Sequence, residues 1–317
     1  MITAAFLALM AVMAVADILG PGHDWGALGA VTAWFLFCRW LGPRGWNRLL
    51  TASLWLSVVI AALAVVQMWW MPRARGPFNS PNYLGAYAVL MFFLSGLTRA
   101  GGGSEARKPG YTAPGLYAAA NLLTLALSQS RGALLALGAG LFVTLYRKAP
   151  LVAGAAGLAV ASAALWIRPG NEEARLDIWW TGLQVAQAHP WLGWGQGGVG
   201  MPGLGGFYNI PLDLLIEAGI LGVLAGAWLL IAAWRAAPEM RPFLAAWFIQ
   251  GLFLFSVPAT DVLLVAVLGF IGGSASHASQ ESRSPNASSL AAETPRSAPR
   301  CLGRGYGRTR RPSQSRR

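Results

Sequence analysis

Apolar runs close to twenty residues long recur ten times between residues 3 and 273 of this 317-residue chain. A helix needs about 20 apolar residues to cross a bilayer. In lipid the backbone must satisfy its own hydrogen bonds, so such runs fold as helices. They cover residues 3–20, 26–42, 49–71, 82–98, 113–128, 131–147, 150–168, 212–234, 242–257 and 259–273. Only 11% of residues are charged, against about 25% in a soluble domain. The expected fold is all-α, a polytopic integral membrane protein with about ten transmembrane helices and one long outer-side loop. Residues 1–273 would form the membrane domain, with the loop at about 169–209, and residues 274–317 a disordered, basic cytoplasmic tail.

The net charge of +12 is concentrated at one end. The tail holds nine Arg, two Glu and no Lys, a charge of +7 that leaves +5 for the rest. Its Ser, Pro, Arg and Ala content reads as disorder. Membrane lipid is the expected partner of these arginines, each positive charge near an anionic surface being worth about 1 kcal/mol. No nucleic-acid module or aromatic interleaving accompanies them. Cys38 and Cys301 imply no disulfide framework. The first apolar run lacks a small-residue cleavage motif and is expected to remain as a membrane helix.

Basic residues favour the cytoplasmic side. With the N-terminus inside, the inner loops before the tail hold ten Lys and Arg and the outer loops five. Both termini are therefore expected in the cytoplasm. The five outer arginines, Arg73, Arg75, Arg131, Arg168 and Arg175, run against that trend. A guanidinium suits bidentate phosphate contacts. Many of the 15 tryptophans lie near the ends of the apolar runs, as in an aromatic belt. Trp179, Trp180, Trp191 and Trp194 instead lie in the long loop, as interface anchors or sugar-stacking rings. The pattern of residues 175–188 predicts an amphipathic helix on the membrane surface.

Four polar groups belong to the outer side. In residues 72–85, Arg73 and Arg75 precede Asn79 and Asn82, which can cap the next helix or donate to sugar hydroxyls. In residues 128–140, Arg131 opens a helix, where a cation opposes the dipole and calls for an anion: Glu172, Asp177 or a ligand phosphate. In the long loop, Arg175 and Asp177 precede HPWLGWGQGG, whose glycines allow a close backbone approach. His189 in that stretch is either structural or a base. Residues 208–222 read YNIPLDLLIEAGILG, with Asn209, Asp213 and Glu217 on one helix face. Asn209 can cap the helix, and Asp213 suits its dipole. Glu217 lies deeper and needs a cation or a cavity, Arg131 and Arg175 being the natural partners. No metal-binding spacing occurs.

FNSPNYLGAY, SQSRGALLAL, ARLDIWW with HPWLGWGQG, and YNIPLDLLIEAGILG occur in that order across residues 70–272. This ordered set resembles the O-antigen ligase and polymerase superfamily of bacterial envelope proteins, which includes pilin oligosaccharyltransferases. The resemblance implies a multi-pass protein of the bacterial inner membrane. It implies a glycosyltransferase needing neither metal nor other cofactor. Such an enzyme moves a glycan from a polyprenyl diphosphate carrier to a lipid A core, a polysaccharide or a protein acceptor. Arg131 and Arg175, with Arg73 and Arg75 nearby, would hold the diphosphate; Asn79, Asn82 and Asn209 would contact the glycan. Ligases of this type commonly carry a histidine just before the asparagine of the fourth motif, where this chain has Tyr208. A phenol is a poor base near neutral pH, so Glu217, Asp213 or His189 would take that role. The alternatives are a solute transporter-like member of the same fold, or an inactive or truncated member acting as an assembly partner.

The orientation has a direct check. Alkaline phosphatase fused after Trp194 should be active and a fusion after Lys148 inactive; the reverse pattern would invert the assignment.

Overall fold

The computed structural model describes residues 1–19, 25–100, 114–167, 172–195, 209–253 and 258–281. The chain divides into a body, Met1–Ser276, and a C-terminal unit, His277–Arg317. Among the described residues the chain is helical, without strands. The helices are α1 (Ile2–Leu19), α2 (Trp25–Trp40), α3 (Gly42–Gln67), α4 (Pro81–Ala100), α5 (Pro114–Ser128), α6 (Arg131–Leu145), α7 (Pro150–Ile167), α8 (Glu172–Ala188), α9 (Ile210–Ala236), α10 (Arg241–Gly251) and α11 (Pro258–Glu281).

Every apolar run coincides with a helix, and α8 occupies the stretch of the long loop with the helical pattern. Among the described residues three helices are long and apolar enough to cross a membrane: Ile2–Leu19, Gly45–Gln67 and Ile210–Ala236. Others are apolar but shorter. With 11 residues, α10 extends about 17 Å, well short of a hydrocarbon core of about 30 Å. The architecture is that of a helical membrane protein. Helix α11 also continues to Glu281. Residues 274–281, assigned to a disordered tail on composition, are helical; the rest of the tail lies outside the described residues.

The centre of the body is α4, where Leu84 to Met91 are all buried. It packs against α5, α6, α3 and α10, while α6 also meets α7 and α1 lies along α9. Phe6 of α1 stacks on Phe35 of α2, and Trp46 of α3 on Phe270 of α11. A buried polar contact joins α5 to α3: Asn121 Nδ2 donates to Ser57 Oγ at 3.2 Å, and within α5 to the Tyr117 carbonyl at 2.8 Å. Bonds of this kind between membrane helices are worth about 0.6–2 kcal/mol. Leu7, Leu56, Leu63, Leu224 and Ile231 are exposed, as lipid-facing positions should be.

Hydrogen bonds and contacts define two ends. At one, Arg39 of α2 donates to Thr3 Oγ1 of α1 at 2.6 Å and to the Gly272 carbonyl of α11 at 2.7 Å. The other end gathers the starts of α4, α6, α9 and α11 with the finishes of α1, α3, α5 and α10. There the Gln67 amide grips the loop before α4, accepting from the Arg75 and Gly76 N–H groups and donating to the Gly76 carbonyl.

Helix α9 is broken. Gly219 has φ 65° and ψ −167° inside an otherwise helical run, a conformation essentially reserved for glycine. Loop residues after α8 supply the bonds that the break leaves over. The N–H groups of Trp194 and Gly195 donate to the carbonyls of Ile216 and Glu217 at 2.8 and 3.0 Å. Those of Ile220 and Leu221 donate to the carbonyls of Pro190 and Trp191 at 2.8 and 3.3 Å. A Cβ on Gly193 would strike the Ile216 carbonyl oxygen, and one on Gly219 would strike the Trp191 backbone. Irregular backbone at membrane depth is tolerated where protein satisfies it, and this interlock does so. Gly219→Ala should lose about 1–3 kcal/mol from backbone strain alone, with more from the clash. A thermal melt in detergent should show a lower Tm than for Gly154→Ala, where a Cβ has nothing within 4 Å.

Candidate functional site

The polar groups singled out in the sequence collect at the second end. Tyr208 and Arg168 lie outside the described residues, as does the side chain of Glu172.

Helices α5 and α6 are joined by only two residues. Gln129 takes a positive φ of 50°, and Ser130 caps α6 by accepting from the Ala133 N–H at 3.4 Å. Arg73 clamps this junction from outside. Its Nε donates to the Ser128 carbonyl at 3.0 Å, and its Nη2 to Asn82 Oδ1 at 3.1 Å and the Gln129 carbonyl at 3.3 Å. These carbonyls end α5, where the helix dipole favours a cation. The guanidinium proposed for phosphate is therefore engaged by the protein itself. The cap of α4 is Ser80, whose Oγ accepts from the Asn82 N–H at 3.2 Å; Asn82 instead orients Arg73. Arg75 and Asn79 are exposed.

Arg131, half-buried, begins α6 beside this clamp and interacts within the protein. The next residue lies under the end of α10: a Cβ on Gly132 would be 3.2 Å from Phe253 Cβ and 3.5 Å from Gln250 Nε2. The same end of α10 meets the start of α9, because Asn209 Nδ2 donates to the Leu252 carbonyl at 3.4 Å. Arg131 and Asn209 thus flank one short stretch, Gln250–Phe253.

Asn209 caps α9, its Oδ1 accepting from the Leu212 N–H at 3.1 Å, and Pro211 and Asp213 occupy the first turn. Glu217 follows on the same face, about 12 Å along the helix at 1.5 Å per residue. The charges acting on it come from Asp213, Asp17 at the end of α1 and Asp261 at the start of α11. Pairing of Glu217 with Arg131 or Arg175 was expected; among the described residues it makes no ion pair with either. Asp17 and Asp261 escaped the sequence reading, although an ionisable group at the edge of an apolar run is itself a signal.

Helix α8 docks on the first half of α9. Ile178, Trp179, Val185, Ala186 and Trp194 pack against Leu212, Leu215 and Ile216. Arg175, half-buried, lies one turn before Trp179 on this side of α8, whereas Asp177 is exposed. Trp194 Nε1 donates to the Val185 carbonyl at 3.1 Å, and the His189 ring meets the Trp194 ring edge-on at 4.1 Å. His189 therefore serves the turn that closes α8. Gly193 and Gly195 make the close backbone approach foreseen for this stretch, and its target is the break in α9.

Among the described residues no group of three or more His, Cys, Asp or Glu could hold a metal ion. No protein-family model matches the chain, and no curated protein matches it in sequence.

The Arg73 clamp makes a prediction that separates structure from ligand binding. Hydrogen bonds to a charged group contribute about 1.5–3 kcal/mol each, and lysine cannot reproduce the fork. Arg73→Lys should lower the Tm in ligand-free detergent by several degrees. An unchanged Tm would mean that the clamp contributes nothing to the fold.

Proposed function

We propose that the protein is a membrane glycan transferase of the O-antigen ligase or polymerase type, working on a polyprenyl diphosphate-linked glycan in a bacterial inner membrane. The observation that carries this is that one end of the helical body holds Arg131 at the start of α6 and Asn209 at the start of α9, both beside the end of α10, with Asp213 and Glu217 further along α9 and with α8, which carries Arg175, docked on the first half of α9. An apolar chain has little reason to assemble cations and carboxylates at one place in lipid unless they are used.

In this scheme Arg131 and Arg175 hold the diphosphate and neutralise the charge that develops on it as the glycosyl bond breaks. Arg73 shapes the turn that presents Arg131. A carboxylate on the α9 face, Glu217 or Asp213, accepts the proton of the acceptor hydroxyl as that oxygen attacks the sugar carbon. Asn209 and Asn82 hold the ends of α9 and α4 in place around the glycan. The ten-span count and the placement of both termini in the cytoplasm belong to the same proposal.

A broken helix also favours a second reading, because transporters build substrate sites on discontinuous helices. In such sites the groups freed by the break face the substrate. In this protein the carbonyls of Ile216 and Glu217 and the N–H groups of Ile220 and Leu221 are all taken by the chain's own loop. That occupancy supports the transferase.

The test replaces the gene in its own host with Arg131→Ala or Arg175→Ala and displays surface glycans on gels. Each variant should lose at least about tenfold of the glycan product, the equivalent of 1.4 kcal/mol of transition-state stabilisation, at normal protein level. Unchanged glycan in both would overturn the assignment.

A further inference from the structure

The four hydrogen bonds of the interlock have a particular relation to one another. In an uninterrupted α9, the N–H groups of Ile220 and Leu221 would bond to the carbonyls of Ile216 and Glu217, four residues back. Those same four groups are the ones held by residues 190–195. The loop has taken both halves of two consecutive helical bonds. If it withdrew, the partners would be left facing one another across the break, ready to close a continuous helix. The break therefore depends on the loop, and the loop on the break.

Glu217 stands at the hinge. Its carbonyl is held by Gly195, and the residue before it by Trp194. The half of α9 before the break carries Asn209, Asp213 and Glu217. The half after it packs along the body through Ala225, Leu229, Ala232 and Ala233. The geometry at Gly219 sets how the first half is aimed relative to the second, and so where the Glu217 carboxylate stands relative to Arg131.

We infer that Gly193 and Gly219 are positioning residues: their interlocked backbones hold α9 broken and aim Glu217 into the site. This rests on the transferase proposal for the role of Glu217, but not for the interlock itself. Helix α8 and the 190–195 loop then act as a fixed strap on the site rather than as a mobile lid. Trp194 is its fastener, bonded through its indole to Val185 and through its backbone to Ile216.

The test begins with the unmodified protein in lipid nanodiscs. The amides of Trp194 and Gly195 should exchange with deuterium at least about 100-fold more slowly than an open loop, as amides held in a cooperative unit do. Free exchange there in the folded protein would overturn the interlock. Trp194→Phe removes the indole bond but keeps an aromatic ring, so the strap should loosen while the protein folds. Exchange at Gly195 should then accelerate, and the spin-label distance between cysteines at Leu183 and Leu224, both exposed, should broaden or shift. Faster exchange with an unchanged distance distribution would refute a role in aiming the first half of α9. In glycan transfer by the same variant, kcat should fall; a rise in donor KM would report Arg175, which α8 carries, and the fall in kcat reports Glu217. A normal kcat with a loosened strap would refute positioning of Glu217. A wild-type protein that transfers no glycan but shows the slow exchange and the distance change would remove the enzymatic proposal and leave the interlock standing.

Discussion

In lipid, a backbone N–H or carbonyl without a partner costs several kcal/mol. That constraint governs the whole body of this protein, and it is tested hardest where α9 breaks at Gly219. Two carbonyls and two N–H groups lose their helical partners there, and residues 190–195 replace all four. The described part of the loop between α7 and α9, residues 172–195, is accordingly organised as structure. Its helix α8 docks on α9 through apolar side chains, its turn is closed by His189 and Trp194, and its glycines allow contact distances that any Cβ would forbid.

The same logic sorts the polar residues at that end into two kinds. Some are consumed by the fold. Arg73 is bonded to the carbonyl end of α5 and to Asn82, Gln67 to the loop before α4, and Ser80, Ser130 and Asn209 to helix starts. Others are placed beyond what the fold requires, and Glu217 is the clearest. It lies in an apolar helix, and the charges of Asp213, Asp17 and Asp261 act on it. The two kinds adjoin, because Asn209 caps the helix that carries Glu217 and Arg73 clamps the junction that precedes Arg131.

Much of this was legible residue by residue. Each of the ten apolar runs overlaps a helix among the described residues, because lipid offers the backbone no other partners. Asn209, Pro211 and Asp213 announced the start of α9, since each suits a different need of a first helical turn. Other features were not legible. A guanidinium beside two asparagines has the composition of an anion site whether it binds a ligand or a helix end, and only coordinates distinguish the two for Arg73. Glu217 looked like a partner for Arg131 because both were costly in lipid, but pairing depends on where separate helices stand. A glycine in an apolar helix is usually a packing position, so Gly219 gave little sign of a break.

By itself, then, the sequence determined the helices, the Asn209 cap of α9 and the membrane character of the chain. These depend on hydrophobic periodicity and on side chains bonding to backbone within a few residues. The tertiary structure alone decided that Arg73 bonds the end of α5, that the charges of Asp17 and Asp261 act on Glu217, and that two glycine-bearing segments some 25 residues apart exchange hydrogen bonds. Those outcomes come from the approach of segments distant along the chain, where a fraction of an ångström between backbones separates a bond from a clash.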